Sequence, residues 1–456
     1  MRIIYLTPAQ AQSLDPTGRG RKLLTSMKTG DPTPVPFMII NKDREWHLKE
    51  WIETRSKYMT RKHQAFFEFD ETFFAKYGAQ GDRFPLSDIV SAYQPFYDNA
   101  NNSPCWSPIL LRGRDYLMSI LRDKIDRYGY PQYGYTIGIT GTSGALPTMQ
   151  RKGTFYAETV GFSEYRHVIP VLPGQKSRLL KHRVINQDAN GNVRYIEDFV
   201  NTIQRWLRAY VPELFSSWSN PHSYLCPGIT RTLRKETWSV ETDYDHCDEH
   251  YTLEVFMTIV APICDILIPD KMELFRFLSF VEELFHQEVF LGDRLLSGKH
   301  ALFSGQVITN FSETIYGVCL ALAALCECSQ HHSDYFVAVC GDDVSVLVRT
   351  QQQRIHDTMV DISDACGMKM NLSKCAIRHN QVQFCKKIYY PALPKSFNTN
   401  GEEFIIGAYP VTLALNNIIN PEQHAETPAI AWSSLIQRAD NLWGIPCYSQ
   451  IAVWLW

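Results

Sequence analysis

The sequence lacks the features that mark several other classes of protein. Its twelve cysteines include no Cys-x-x-Cys pair, which argues against a zinc site or a disulfide framework and for reduced thiols. The formal net charge is only −3, so any nucleic-acid binding must use local basic clusters. The longest apolar runs fall short of a membrane span, and the N-terminus has no apolar core long enough for a signal peptide. We therefore expect an intracellular protein with no membrane segment.

What the sequence does contain is enough apolar material for a large core. Its 456 residues are 45% hydrophobic and 12% aromatic, which excludes a disordered chain and allows either two or three domains or one multi-lobed enzyme. Residues 1–36 are punctuated by Pro and Gly, and we expect them to form a surface arm. The apolar patterns predict helices at 248–260, 271–287, 307–326 and 352–366.

The stretch "YFVAVCGDDVSVLVR", residues 335–349, places Asp342 and Asp343 between two apolar runs. The valines alternating over 344–348 predict a strand, and Gly341 suits the tight turn of a hairpin. Adjacent carboxylates repel each other unless a cation lies between them, and a divalent metal is the usual cation at such a site. An exposed acidic turn explains the stretch equally well, and Gly-Asp-Asp alone does not decide between the two.

A second acidic stretch, "SVETDYDHCDEHYT", carries Asp243 at the end of a predicted strand over 238–242, with Asp248 after it. Neighbouring strands lie about 4.8 Å apart. If this strand lies beside the hairpin, Asp243 faces Asp342 across a gap suited to two metals about 3.5–4 Å apart. The alternative for Asp243 is an ordinary helix N-cap.

The stretch "FSGQVITNFSETIYG" combines a small-residue turn with a helix. Ser304 and Gly305 form the turn, which lets the backbone approach a ribose or a base pair closely. Thr309 and Glu313 follow one helical turn apart on one face, where they can hydrogen-bond a sugar hydroxyl. Helix capping is the competing explanation for the Ser-Gly pair.

Two further stretches contain basic or small polar residues. In "GQKSRLLKHRVINQ", Lys181 and Arg183 alternate on a predicted strand and point one way, which suits gripping a triphosphate; a solvated basic face is the alternative. In "TGTSGALPTMQRKG", Ser143 and Gly144 can contact phosphate, with Lys152 near by, although an ordinary loop explains this stretch as well.

Taken in order, TSGALP, KHRVI, DYDHCD, SG-x3-T-x3-E, GDD, GMKMNLSKC and QFCKK resemble the motifs of a viral RNA-dependent RNA polymerase, across roughly residues 140–390. The sequence is most similar to polymerases of picobirnaviruses and their partitivirus relatives, which are small double-stranded RNA viruses. Two positions depart from the common pattern. Glu313 stands where many relatives have Asn or Asp, and Cys340 precedes Gly341 at a position that varies.

The resemblance implies a role for each matching residue. Asp243 and Asp342 would hold two Mg²⁺ ions, for which Mn²⁺ can substitute, with Asp343 in support, and Lys374 would protonate pyrophosphate. The residues implied in nucleotide binding are Lys181, Arg183, Arg178, Asp248, Ser304, Gly305, Thr309 and Glu313; Asp248 and Glu313 are expected to accept the ribose 2′-OH as ionised carboxylates. The residues implied in RNA binding are Ser143, Gly144, Lys152, Phe384 and Lys386.

The implied fold is α+β, a right hand of fingers, palm and thumb with an antiparallel palm sheet. The fingers with their N-terminal arm are expected at 1–235, the palm at 236–268 and 299–390, a fingers insertion at 269–298 and the thumb at 391–456. The apolar end "IAVWLW" is unusual for a free terminus, which leaves open whether the thumb is complete.

The implied reaction is template-directed RNA synthesis that replicates and transcribes a viral genome, which the resemblance implies to be double-stranded RNA. Its partners would be template and nascent RNA, NTPs and a viral capsid protein, and its place the host cytoplasm or the virion. Two alternatives share the acidic cluster. A reverse transcriptase would want a bulky residue against the ribose in place of Asp248. A degenerate polymerase acting as an RNA-binding protein would have no use for Asp243, Asp342 and Asp343 together.

Overall fold

The structure is a computed structural model. It describes residues 1–26, 44–80, 86–102, 104, 106–130, 146, 149, 168–178, 181–188, 190–331, 334–421, 427–439 and 445.

Helices and strands alternate irregularly along the chain. The helices are α1 (Pro8–Leu14), α2 (Arg19–Ser26), α3 (Arg44–Arg55), α4 (Gln64–Glu71), α5 (Leu86–Asn99), α6 (Pro108–Tyr128), α7 (Asn190–Tyr210), α8 (Leu225–Leu233), α9 (Cys247–His250), α10 (Leu253–Val255), α11 (Ala261–Leu267), α12 (Lys271–Leu284), α13 (Ile308–Glu327), α14 (Gln352–Ala365), α15 (Val411–Ile419) and α16 (Pro428–Ala439). The strands are β1 (Arg2–Tyr5), β2 (Leu172–Arg178), β3 (Lys181–Gln187), β4 (Trp238–Thr242), β5 (Val289–Phe290), β6 (Arg294–Ser297), β7 (Tyr335–Cys340), β8 (Asp343–Val348), β9 (Ala376–His379), β10 (Val382–Phe384), β11 (Lys387–Tyr389), β12 (Lys395–Phe397) and β13 (Glu403–Ile405).

A four-stranded antiparallel sheet in the order β7-β8-β4-β9 lies at the centre of the structure. The predicted hairpin is confirmed, because β7 and β8 pair up to Cys340 opposite Asp343. On the other side of β8, strand β4 pairs in a register that ends with Thr242 opposite Val344. Asp243 follows Thr242, so the register brings the end of β4 to the hairpin turn.

Both faces of this sheet are buried, which explains the nearly continuous apolar runs of its strands. One face lies in a core shared with α6, α7, α13 and α14 and contributes Val240, Val337, Val339, Val344, Val346 and Val348. The other face packs into a second core with α8 and β10, to which it contributes Phe336, Ala338 and Leu347. The period-two alternation of β8 therefore separates two cores instead of separating core from solvent.

Helix α13 packs against the hairpin. Among the described residues it is the helix that is long and apolar enough to cross a bilayer, but 89% of its apolar stretch is buried within the protein, so it is a core helix. Helix α6 crosses it so closely that position 113 has room only for glycine. A Cβ at Gly113 would lie 2.3 Å from the carbonyl oxygen of Cys319 and 2.6 Å from the backbone nitrogen of Ala323.

The described part of the N-terminal segment, residues 1–26, has mostly exposed side chains and packs onto the protein through short elements. Strand β1 pairs antiparallel with β6 in a sheet ordered β1-β6-β5, and Ala11 and Leu24 are buried in a third core with Tyr93 and Phe303. The Pro and Gly residues here punctuate short packed elements. This segment therefore packs onto 269–298, the region predicted as a fingers insertion.

The helix expected over 248–260 is interrupted, whereas α12, α13 and α14 match their predicted spans to within three residues. Helix α9 ends at His250, and the Thr252 side chain caps a new helix by accepting from the backbone N–H of Val255. A threonine that caps the backbone competes with helix continuation. Between the two, Tyr251 is fully buried and its hydroxyl donates to the Ser312 carbonyl at 3.3 Å, which fixes α9 to α13. A π-helical stretch, Phe256–Val260, then joins α10 to α11.

Residues 44–80 share the second core with 382–415. The fully buried Asp70 accepts hydrogen bonds from Trp51 Nε1 at 2.7 Å, from Thr412 N at 2.8 Å and from Thr412 Oγ1 at 3.0 Å. These bonds join α4 to α15. The predicted domain boundaries, which place the two segments in fingers and thumb, stay predictions.

Substitution of Gly113 tests the close crossing of α6 and α13. We expect Gly113→Ala to lower the free energy of unfolding by roughly 1–3 kcal/mol, because the added Cβ meets backbone atoms that cannot rotate away. Thermal unfolding measures the change. Ser119→Ala, at an exposed position of the same helix, is the control and should be nearly neutral. Equal stability of the two variants would contradict the crossing.

Candidate active site

The predicted acidic residues meet at one edge of the central sheet. Asp243 directly follows β4, and Asp342 lies in the turn between β7 and β8 beside Gly341, whose φ of +61° is the left-handed conformation expected of a glycine turn. The segment carrying Lys374 runs alongside, since Asn371 N donates to the Asp243 carbonyl at 2.8 Å. Lys374 Nζ then lies 2.8 Å from Asp243 Oδ1.

Burial and like charge act together on the aspartates. Burial, and then the neighbouring Asp243, raise the pKa of Asp342 above its ordinary value. Burial, and then Asp342 and Asp243, raise the pKa of Asp343 to about 6. Arg183 and Lys374 oppose the shift at Asp342 because their positive charges favour its ionised form. The site therefore gathers carboxylates whose ionised forms are stabilised by nearby cations.

Oxygen ligands of this kind are those that Mg²⁺ prefers, and Asp243, Asp342 and Asp343 are the residues that would hold it. Within the part of the chain that the structure describes, no group of three or more His, Cys, Asp or Glu side chains forms a ready-made metal cage. Mg²⁺ usually binds through one or two carboxylates together with substrate phosphates, so this donor set fits a site that the substrate completes.

Helix α13 fixes the position of the turn. The backbone N–H of Gly341 donates to Thr314 Oγ1 at 2.8 Å, and the same hydroxyl donates to the Asn310 carbonyl at 2.6 Å. Glu313 Oε2 would lie 3.4 Å from a Cβ at position 341, so the helix packs directly beneath the turn. The strand order and this helix contact together set where Asp342 can be.

Asp248 and Ser304 are brought together as predicted for a ribose site. The Ser304 hydroxyl hydrogen-bonds Asp248 Oδ2. Burial, and then the charge of Glu249, raise the pKa of Asp248 to about 6, while Arg183 opposes the shift. Arg183 therefore acts on both Asp248 and Asp342 across the site.

Glu313 is placed close to both Asp342 and Asp248, whose charges act on it. Its side chain is 8% exposed, and burial followed by the charges of Asp342 and Asp248 raises its pKa well above the ordinary value. This direction favours the neutral carboxyl, which can donate a hydrogen bond as well as accept one. The predicted role of Glu313 at the ribose stays a prediction.

Gly305 and Thr309 complete the turn after Ser304. Gly305 has φ +95°, and a Cβ there would lie 2.8 Å from the Asn186 carbonyl oxygen, so no larger residue fits. The Thr309 hydroxyl donates to the Phe303 carbonyl at 3.0 Å, which leaves only its lone pairs to accept from a sugar.

The basic strand β3 forms a hairpin with β2, in which Arg178 pairs with Lys181 and Lys176 with Arg183. Arg183 is exposed. The side chains of Arg178 and Lys181 lie outside the described part of the structure, as do the predicted RNA-binding residues Ser143, Gly144 and Lys152. Their roles stay predictions.

Of the two other residues predicted in RNA binding, Phe384 is buried and Lys386 lies in a turn. Phe384 is 3% exposed and, as an apolar residue ending β10, packs in the second core. Its predicted part in RNA binding, support of the 3′ end of the growing strand, stays a prediction. Lys386 lies in the turn that follows, with φ +60°, and its charge acts on Asp343. The Cys385 thiol hydrogen-bonds the Asp343 side chain.

Sequence reasoning missed Glu241, which ties this turn to the sheet. Glu241 is 7% exposed and accepts from Arg378 Nε at 2.9 Å, from Gln383 N at 2.7 Å and from Ser239 Oγ at 2.8 Å. The available signal was the alternation of polar Ser239 and Glu241 in a strand whose other neighbours are apolar.

The solved structures that this chain resembles define its fold. The crystal structure of the RNA-dependent RNA polymerase of a human picobirnavirus superposes with a TM-score of 0.78 at 13% identity, covering 98% of this chain and 88% of that chain. An insertion-loop deletion mutant of such a polymerase gives 0.77 at 13% identity, covering 98% and 91%. The fold is that of a right-hand polymerase, and the predicted α+β class is confirmed.

The sequence comparison identifies the family of the central region. Residues 219–395 match the family described as viral RNA-dependent RNA polymerase. These residues form a viral RNA-dependent RNA polymerase domain, which confirms the predicted enzyme class. No curated protein sequence matches the chain.

The raised pKa of Asp343 predicts a pH dependence of stability in the metal-free protein. A folded-state pKa of about 6, above the ordinary 3.8, favours the protonated form in the folded protein. This contribution is full below about pH 4 and is lost as the pH rises through 6, by at most about 3 kcal/mol. Asp343→Asn should therefore remove part of the decline between pH 4 and 7, measured by thermal unfolding with a chelator present.

The control for this experiment is Asp361→Asn, at an exposed position of α14, which should keep the wild-type pH profile. If Asp343→Asn also keeps that profile, Asp343 is not the titrating group.

Proposed function

We propose that this protein catalyses template-directed transfer of a nucleotidyl group from an NTP to an RNA 3′-OH, with release of pyrophosphate and the support of two Mg²⁺ ions. The observation that carries the proposal is the meeting of Asp243 and Asp342 at one sheet edge, with the charge of Arg183 reaching both Asp342 and Asp248. Carboxylates facing a guanidinium across a cleft suit a bound metal–triphosphate group.

In this reaction the RNA 3′ oxygen attacks the α-phosphorus, and the bond from that phosphorus to the pyrophosphate oxygen breaks. When bound, Mg²⁺ lowers the pKa of the attacking hydroxyl and neutralises charge on the leaving group. Asp243 and Asp342 would hold it, and the sheet register and α13 keep the two carboxylates in place before substrate arrives. Preorganisation of this kind is a main source of rate enhancement.

Arg183 and Lys374 have complementary roles at the triphosphate. Arg183 is exposed on β3, and its guanidinium suits bidentate binding of phosphate oxygens. Lys374 neutralises Asp243 in the free protein through their 2.8 Å ion pair. On binding of substrate this ammonium becomes available to give a proton to the pyrophosphate, which balances the proton that leaves the 3′-OH.

The ribose is recognised by Asp248 and Ser304, and Glu313 lies close to Asp248. The Ser304–Asp248 hydrogen bond holds two polar groups ready for a ribose hydroxyl. A deoxyribose would leave them without that partner, and sites built to bind a hydroxyl discriminate strongly against its absence.

The biological setting follows from the family. We infer that the template is a viral genome, of double-stranded RNA as in the group that the sequence resembles, and that the enzyme replicates and transcribes it. A viral capsid protein is the proposed protein partner, and the host cytoplasm or the virion is the proposed location.

Substitution of Asp342 tests the two-metal proposal. Asp342→Ala should reduce Mg²⁺-dependent NTP incorporation on an RNA template by about 10³-fold, while RNA affinity stays near that of the wild type. Asp245→Ala, at an exposed position two residues after Asp243, is the matched control and should keep most of the activity. Near-normal incorporation by Asp342→Ala would reject the proposal. If the wild-type protein binds RNA but incorporates no NTP, the result favours the degenerate polymerase. If the wild-type protein synthesises from dNTPs, the result favours the reverse transcriptase.

Substitution of Arg183 tests the triphosphate contact. Arg183→Ala should raise the KM for NTP by roughly 10–100-fold, because a charge-assisted hydrogen bond contributes about 1.5–3 kcal/mol. Arg183→Lys should restore only part of the affinity, since it lacks the planar fork. Steady-state kinetics and RNA-binding measurements separate the alternatives. A loss of RNA affinity with an unchanged KM for NTP would place Arg183 on the template.

A further inference from the structure

Asn186 makes two hydrogen bonds to the turn that carries Ser304, one from its backbone and one from its side chain. Its backbone N–H donates to the Ser304 carbonyl at 2.8 Å, and its side-chain Nδ2 donates to the same oxygen at 3.1 Å. The hydroxyl of the fully buried Tyr93 hydrogen-bonds Asn186 Oδ1 and so orients the amide. Asn186 is itself 5% exposed, so these bonds form away from water.

The position of Asn186 in β3 links it to Arg183. Successive side chains of a strand alternate between faces, so Asn186 lies on the face opposite Arg183, together with Val184. Val184 packs against the third core, which contains Tyr93 and Phe303. The strand therefore presents its cationic side chain toward the acidic site, while its other face is anchored to the Ser304 turn.

The Ser304–Gly305 turn packs directly against this strand. A Cβ at Gly305 would lie 2.8 Å from the Asn186 carbonyl oxygen, so the two backbones are in direct contact. On its other side, the Ser304 hydroxyl bonds Asp248. Ser304 is thus held by its carbonyl to the basic strand and by its hydroxyl to the palm.

A second set of buried hydrogen bonds joins the end of β3 to the turn that carries Ser304. Asp188 Oδ1, just beyond β3, accepts from Gln287 Nε2 at 2.8 Å, and Gln287 Oε1 accepts from Gln306 Nε2 at 2.7 Å. Gln306 Oε1 in turn accepts from the backbone N–H of Phe303 at 3.2 Å. Each link of this chain is a hydrogen bond between buried groups, and a buried network of this kind favours one arrangement of its members.

We propose that Asn186 is a positioning residue that couples the triphosphate-binding strand to the ribose-reading Ser304 and so sets the preference for ribonucleotides. The inference rests on the proposed function. It deepens that function by assigning the sugar discrimination to a residue that lies behind Ser304 in the structure.

The test compares Asn186→Ala, Asn186→Asp and Tyr93→Phe with wild type. Asn186→Ala and Asn186→Asp remove the Nδ2 donor to Ser304, and both should narrow the rNTP-over-dNTP ratio of kcat/KM about tenfold, which corresponds to about 1.4 kcal/mol. Tyr93→Phe should narrow it less, because only the orientation of the amide is released. The ratio of the equilibrium affinities for ATP and dATP is measured as a second readout, which needs no turnover.

Asn416→Ala is the matched control. Asn416 is also a fully buried asparagine, and its Oδ1 accepts from Gly78 N at 3.0 Å and from Asn420 Nδ2 at 2.8 Å in the second core. It should lower thermal stability without changing either ratio. Unchanged ratios in both Asn186 variants would overturn the proposal, even if their stability falls. If the wild type shows no incorporation, the proposed function fails, and the ATP-over-dATP binding ratio alone decides the role of Asn186.

Discussion

Repulsion among carboxylates is the constraint on which the rest of the site depends. Five acidic side chains gather around one cleft: Asp243, Asp248, Glu313, Asp342 and Asp343. Without restraint, these carboxylates would move apart. They stay together because the central sheet and α13 bury the backbone that supports them. In addition, the backbone N–H of Gly341 donates to the Thr314 hydroxyl. Burial first, and then the charges of neighbouring carboxylates, raise the pKa values of Asp248, Glu313, Asp342 and Asp343.

The cations that balance this charge come from distant parts of the chain. Lys374 approaches from the segment after α14, and Arg183 from a hairpin in the N-terminal half. Each is carried by an element whose own position is fixed by backbone hydrogen bonds to the site, through Asn371 in one case and Asn186 in the other. The two elements that supply positive charge to the site are therefore also hydrogen-bonded to its backbone.

Much of this arrangement could be predicted from the sequence, for identifiable reasons. The alternating valines of β8, with Gly341 before them, specify the hairpin, and the long apolar pattern of α13 specifies a buried helix. The ordered motifs place Asp243, Asp248, Ser304 and Asp342 in one site. These features depend on local patterns that a single sequence carries.

What could not be predicted depends on tertiary contacts. Helix continuity after Asp248 is broken because Thr252 caps a new helix, a choice that competes with the apolar pattern on either side. The raised pKa of Glu313 depends on its burial and on two aspartates that are distant in sequence. Nothing local to Phe384 shows that its side chain packs in the second core. Asn186 and Glu241 have no motif, since the partners that tie them to the site, Ser304 for Asn186 and Gln383 for Glu241, are distant in sequence.

The tie between Asp70 and Thr412 has a consequence for how the chain is made. Synthesis proceeds from the N-terminus, so α3 and α4 leave the ribosome long before α15 exists. Until residue 412 emerges, Asp70 and the aromatic side chains around it, including Trp51 and Phe66, have no partner from the C-terminal region. The second core therefore stays incomplete in the nascent chain until the segment around Thr412, 342 residues after Asp70, has been made.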